Sequence, residues 1–94
     1  MLSEIPKKLE KVDQANLDQE ILRAGIMAEL DATSLYEQMA AMTNNPKIKK
    51  ILLDIAKEEK THTGEFQALL LQFDQEQKQE LEKGKKEVEE KTGK

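Results

Sequence analysis

The sequence predicts an all-α protein: an antiparallel two-helix hairpin that dimerises into a four-helix bundle, with a short C-terminal third helix. Three observations carry this. Aromatic residues make up only 3% of the chain against 36% charged residues, and Trp is absent, a composition of long solvated helices rather than of sheets. Apolar residues recur at steps of three and four through two long segments on either side of Asn44-Asn45-Pro46. With 94 residues, 37% of them hydrophobic, the core of one hairpin is thin, and a partner is expected.

Residues 1–15 mix Pro6, lysines and acids with isolated Leu2, Ile5, Leu9 and Val12, too sparse a pattern to force structure, and read as a flexible N-terminal arm. The hairpin occupies 16–73. Asn16 can cap its first helix, with Gln19 as the reciprocal arm of a capping box and Asp18 and Glu20 at the positive end of the helix dipole. That helix runs to about Thr43. Asn45 then caps the second, and Pro46 fits the first helical position, where its missing N–H costs nothing. So short a link makes the two helices antiparallel neighbours.

The second helix runs to about Phe73, where Asp74 with Gln77 starts a short third helix ending near Gly84. Residues 74–94 carry seven acids and six lysines and keep only Leu81 and Val88 as large hydrophobics, so they form a charged helix and a tail or linker rather than a core.

Charge and cysteine content remove whole function classes. Nineteen acids against 15 bases give a net charge of −4, which leaves no electrostatic footprint for nucleic acid. Without Cys there is no thiolate metal site and no Cys nucleophile, so any metal falls to carboxylates and the single histidine, His62. No window approaches the roughly eighteen apolar residues of a membrane span, and no apolar run near Met1 suits a signal peptide; the chain reads as soluble and intracellular.

Within the hairpin, polar residues stand where the pattern asks for apolar ones. The second helix reads Ile48, Leu52, Ile55, Glu59, His62, Phe66, Leu69, Phe73, a heptad seam broken only at its middle. The first reads Leu22, Gly25, Glu29, Ala32, Tyr36, Met39, again with one acid inside. Glu29 stands 15 residues before Asn44 and Glu59 15 after it, so the two face each other at one level. An isolated buried carboxylate costs several kcal/mol, and three polar residues at one level need a common compensating partner, which a cation supplies. Glu59 and His62, at i and i+3, can point at one ion, and imidazole with carboxylate suits iron, manganese or zinc better than calcium.

One hairpin offers only half of a two-metal carboxylate site. Two hairpins about a twofold axis supply four carboxylates and two histidines, the inventory of the ferritin-like di-iron proteins: a Glu from each of two helices and Glu-x-x-His from the other two. The stretches Ala28-Glu29-Leu30-Asp31-Ala32 with Leu35-Tyr36, and Lys49-Lys50-Ile51-Leu52 leading to Glu58-Glu59-Lys60-Thr61-His62, resemble the two metal helices of the encapsulated ferritins over roughly residues 17–73. The resemblance implies a ferritin-like bundle and a ferroxidase that oxidises Fe(II) with oxygen at a di-iron centre, two irons per dimer interface. It implies metal ligation by Glu29, Glu59 and His62, a supporting catalytic role for Tyr36, and a place for Asp31 on the path by which iron reaches the centre. It further implies a ring-shaped decamer of five dimers inside an encapsulin shell, which provides the mineral store. No apolar docking motif stands in residues 87–94, so the chain reads as a shortened cargo or the front of a shell fusion.

Blander readings stand beside these. Glu-x-x-His is common on exposed helix faces, and Glu59 and His62 can be register-setting polar residues in an ordinary coiled coil. The chain would then be a non-enzymatic helical interaction module with a structural metal or polar seam. Tyr36 serves equally as a core residue, and Met27, Met39 and Met42 read as packing. Glu37, Asp54, Glu58 and Glu65 fall off the seams and read as solvated. A hydrolase is disfavoured, because no Ser or Cys nucleophile lies near His62 and no Gly-rich phosphate loop is present.

Overall fold

The computed structural model describes residues 14–93, which form three helices, α1 (Gln14–Met42), α2 (Pro46–Phe73) and α3 (Gln75–Thr92), with no strand among them. The arm expected over residues 1–15 lies outside the described residues apart from its last two, which already belong to α1. Asn16 therefore sits inside the first turn of α1 rather than capping it. No Pro or Gly separates Pro6 from Asn16, so nothing in the sequence obliges the helix to begin at the asparagine.

The turn between α1 and α2 follows its residues closely. Asn45 is extended (φ −89°, ψ 116°), as the position before a proline favours, and its Oδ1 accepts from the main-chain N–H of Lys47 at 2.9 Å and of Ile48 at 3.2 Å. Thr43 Oγ1 accepts from the Asn45 N–H at 3.1 Å. With only three residues in the link, α1 and α2 pack side by side and antiparallel.

Asp74 alone separates α2 from α3. Its N–H donates to Leu70 O at 2.9 Å, closing α2, while its Oδ1 accepts from Gln77 N at 2.9 Å, opening α3. The third helix touches α2 near this corner, buries none of its residues, and does not pack along α1. It is also longer than the sequence predicts: it continues through Gly84 to Thr92 and stops at Gly93, which takes the left-handed conformation (φ 77°) and donates its N–H to Glu89 O at 2.8 Å. An interior glycine costs about 1 kcal/mol relative to alanine. The Glu, Lys and Gln residues on both sides of Gly84 are good helix formers and outweigh it.

Between α1 and α2 the buried apolar residues are Leu22, Ala24 and Ala40 from one helix and Ala56 and Leu70 from the other, three of the five being alanines. Small residues bring the helices close but leave the core as thin as the composition foretold. Thr33 is buried too, its hydroxyl donating to Glu29 O at 2.9 Å.

The single apolar seam read along the second helix divides in two. Leu52, Ala56, Glu59, Thr63, Phe66 and Leu70 form the buried and half-buried stripe. It shares Leu52, Glu59 and Phe66 with the seam, but takes Ala56, Thr63 and Leu70 on one side of that line where the seam takes Ile55, His62 and Leu69 on the other, about 100° away. Ile48 and Leu69 sit on the exposed side with His62, Phe73 is 55% exposed at the end of the helix, and Ile51 is 58% exposed. Among the described residues, no helix is long and apolar enough to cross a membrane.

Candidate metal centre

Glu29 lies at the middle of α1, Glu59 and His62 at the middle of α2, and the antiparallel packing brings all three to one level, as their distances from the turn require. His62 Nδ1 stands 3.5 Å from Glu29 Oε2 and 3.7 Å from Glu59 Oε2, and one ligand atom from each residue falls within 4.8 Å of the others. Among the described residues this is the one such group. The two carboxylates are mostly buried, at 19% and 18% exposed, whereas the imidazole is 44% exposed on the edge shared with Leu69 and Phe73.

The three groups shift one another's titration. A hydrogen bond with the Glu59 carboxyl, burial, and the Glu59 charge hold the Glu29 pKa above its ordinary value, with His62 pulling the other way. Burial disfavours the His62 imidazolium, but Glu29, Glu59 and the more distant Glu65 together outweigh it and raise the His62 pKa. One atom stays unsatisfied: Glu29 Oε2 is buried and accepts no hydrogen bond. A buried acceptor left unmade costs about 1–3 kcal/mol, more when charged. Two carboxylates and an imidazole suit an ion of the iron, manganese or zinc type, and such an ion would satisfy that oxygen.

Both glutamates have their main-chain carbonyls engaged from below. Thr33 Oγ1 donates to Glu29 O at 2.9 Å and Thr63 Oγ1 to Glu59 O at 3.1 Å, the same i to i+4 arrangement on each helix. The repeated Glu-x-x-x-Thr spacing is the one sign of this pairing in the sequence. Glu65, assigned from the sequence to a solvated face, bears electrostatically on His62. Tyr36 is half-buried on α1 two turns beyond Glu29 and lies outside the three-residue group. Asp31 lies outside it as well; two residues from Glu29, it points about 200° away around the helix.

Residues 20–93 match the family model described as Rubrerythrin. The crystal structure of an encapsulated ferritin domain from Pyrococcus furiosus superposes with a TM-score of 0.84 at 50% identity, covering 97% of this chain and 96% of that one. The chain belongs to the encapsulated ferritins, within the rubrerythrin family. It is also 60% identical, over 74 residues, to a ferritin-like-encapsulin shell fusion protein of the same organism. That match takes in 79% of this chain but 21% of the fusion protein, so the chain spans about a fifth of the length of this curated relative. The hairpin and the third helix are thus those of an encapsulated ferritin, and the ferritin-like fold expected from the sequence is borne out.

Proposed function

We propose that this encapsulated ferritin is a ferroxidase whose centre is completed by a second copy of the chain, with Glu29, Glu59 and His62 of each copy as the ligands. The observation that carries the reading is the buried, unsatisfied Oε2 of Glu29 facing an imidazole and a second carboxylate. A hairpin that folded only for stability gains nothing from it.

Ferrous iron is the substrate, two ions per dimer interface. Two Fe(II) give up one electron each, and one dioxygen accepts the pair together with two protons, so no single-electron reduction to superoxide is needed. The chain's residues bind and orient. Glu59, as buried as Glu29 and on the same helix as His62, would hold the ions together with Glu29. Carboxylates favour the harder ferric state. His62, half-exposed at the edge, supplies the nitrogen donor nearest the second copy. Tyr36, two turns from Glu29 on the same helix, is suited to support the centre, while Asp31 points away from it within one chain and its place on the route of iron rests on the family resemblance.

Exposed Ile48, Leu69 and Phe73, spread along α2 on either side of His62, support pairing through this edge. Five such dimers closed into a ring, inside an encapsulin shell that stores the mineral, complete the reading. The shell is supported by the name of the fusion relative.

The test follows ferric absorbance after anaerobic Fe(II) loading and addition of oxygen, in wild type and in Glu29→Ala, Glu59→Ala and His62→Ala, with mass measured in parallel. Loss of oxidation in all three variants is expected. Oxidation at equal rates by all four proteins would overturn the ferroxidase and leave a helical interaction module.

A further inference from the structure

Gly25 and Gly64 both lie inside the hairpin helices, yet their surroundings differ. A Cβ at Gly64 would meet nothing within 4 Å, and the same holds for Gly84 in α3. A Cβ at Gly25 would lie 3.2 Å from three carbons of the Phe66 ring, closer than ordinary contact. Gly25 does not have the positive φ that would call for glycine. What its missing side chain provides is room: the Phe66 ring rests directly on the α1 backbone.

This seat lies beside the proposed ligands on both helices. Gly25 is one helical turn before Glu29, and Phe66 one turn after His62 on the stripe that carries Glu59. One turn is about 5.4 Å along the axis. A ring lying against backbone, with no flexible side chain between, sets how closely α1 and α2 approach next to the point where Glu29 meets Glu59 and His62. Metal sites tolerate ligand displacements of only about 0.2 Å in bond length and about 0.5 Å in placement. An added methyl at residue 25 requires the ring or the helix to yield by a few tenths of an ångström, which is the same scale.

We infer that Gly25 and Phe66 are positioning residues: the ring seated on the glycine backbone sets the helix separation that brings Glu29 to Glu59 and His62. The inference rests on reading these three residues as metal ligands. It separates metal affinity from stability, because alanine is the better helix former and Gly25→Ala favours α1 intrinsically.

Cobalt(II) is the probe, with its visible ligand-field bands reporting both affinity and coordination, and the melting temperature is measured on metal-free protein. Gly25→Ala is expected to melt within a few degrees of wild type or above it, to bind Co(II) at least tenfold more weakly, and to shift the bands. Gly25→Ala/Phe66→Leu, which gives the new methyl room, is expected to bind Co(II) more tightly than Gly25→Ala alone. Gly64→Ala serves as control and binds as wild type does. Should wild type bind Co(II) while Gly25→Ala binds equally well, or should the double variant regain nothing, the positioning role is overturned and the ligand reading stands. Failure of wild type itself to bind Co(II), or of Glu59→Ala to weaken it, overturns the ligand reading and this inference with it.

Discussion

Arg23 and Asp74 join across the base of the hairpin: Arg23 Nη2 donates to Asp74 Oδ2 at 2.8 Å, while the other oxygen of the same carboxylate caps α3 through the N–H of Gln77. Arg23 Nη1 is held in turn by Glu20 at 2.8 Å, and Gln19 Nε2 reaches Phe73 O at 2.9 Å. One side chain thus opens α3 and ties its start to α1. Asp74→Ala removes both functions and is expected to cost about 1 kcal/mol of α3 stability, read as roughly fivefold faster hydrogen exchange at the first amides of the helix. Asp74→Asn keeps a capping oxygen and should exchange close to the wild-type rate there.

Replacing Glu29 by Gln keeps the shape and removes the charge. Because the buried Oε2 has no hydrogen-bond partner in metal-free protein, Glu29→Gln is expected to raise the metal-free melting temperature, by an amount on the order of 1 kcal/mol in stability. The same variant should lose Co(II) binding. Calorimetry and a metal titration on one sample check both halves.

Protonation should couple to both stability and metal. Glu29 holds its proton above its ordinary value of 4.5 because it hydrogen-bonds the Glu59 carboxyl and is buried. His62 holds its own above 6.5, the nearby carboxylates outweighing burial. A folded state that binds protons more tightly than the unfolded chain loses stability as pH rises. For His62 the contribution is whole below 6.5 and gone once pH passes the raised folded value; for Glu29 the loss begins near 4.5 and runs upward through its own. Metal-free protein should therefore melt progressively lower across this window, and Glu29→Gln should flatten the slope. Metal binding should strengthen over the same range and release protons, visible as a buffer-dependent heat in titration calorimetry.

The exposed edge of α2 gives a prediction about assembly. Leu69→Glu and Phe73→Glu place charge on the face proposed to meet a second copy, so each should weaken self-association at least tenfold in sedimentation velocity. Circular dichroism should show the hairpin helices retained, because neither residue is buried within one chain.

Much of this was legible in sequence because it is local. Asn45-Pro46 and Asp74 announce their caps through side-chain chemistry that reaches only three residues, and equal distances from the turn set Glu29 against Glu59. The end of α3 was not legible, because Gly84 and Gly93 look alike until the helix formers around each are weighed together. Nor was the division of the α2 seam, since Leu52, Glu59 and Phe66 belong to both rows and the pattern alone does not say whether Ile55, His62 and Leu69 or Ala56, Thr63 and Leu70 complete the buried one. The seat of Phe66 on Gly25 lay furthest out of reach. It depends on two residues 41 positions apart and on a side chain that is missing.

The three-residue turn at Thr43–Asn45 has a consequence for the order of events in the cell. Its own hydrogen bonds, Asn45 with Lys47 and Ile48 and Thr43 with Asn45, reach at most three residues, so the turn can form before the helices it joins have met. Closing the hairpin then brings Glu29, Glu59 and His62 to one level within a single chain. On the proposed reading, completing the centre with a second copy becomes a matter of subunit concentration rather than of folding.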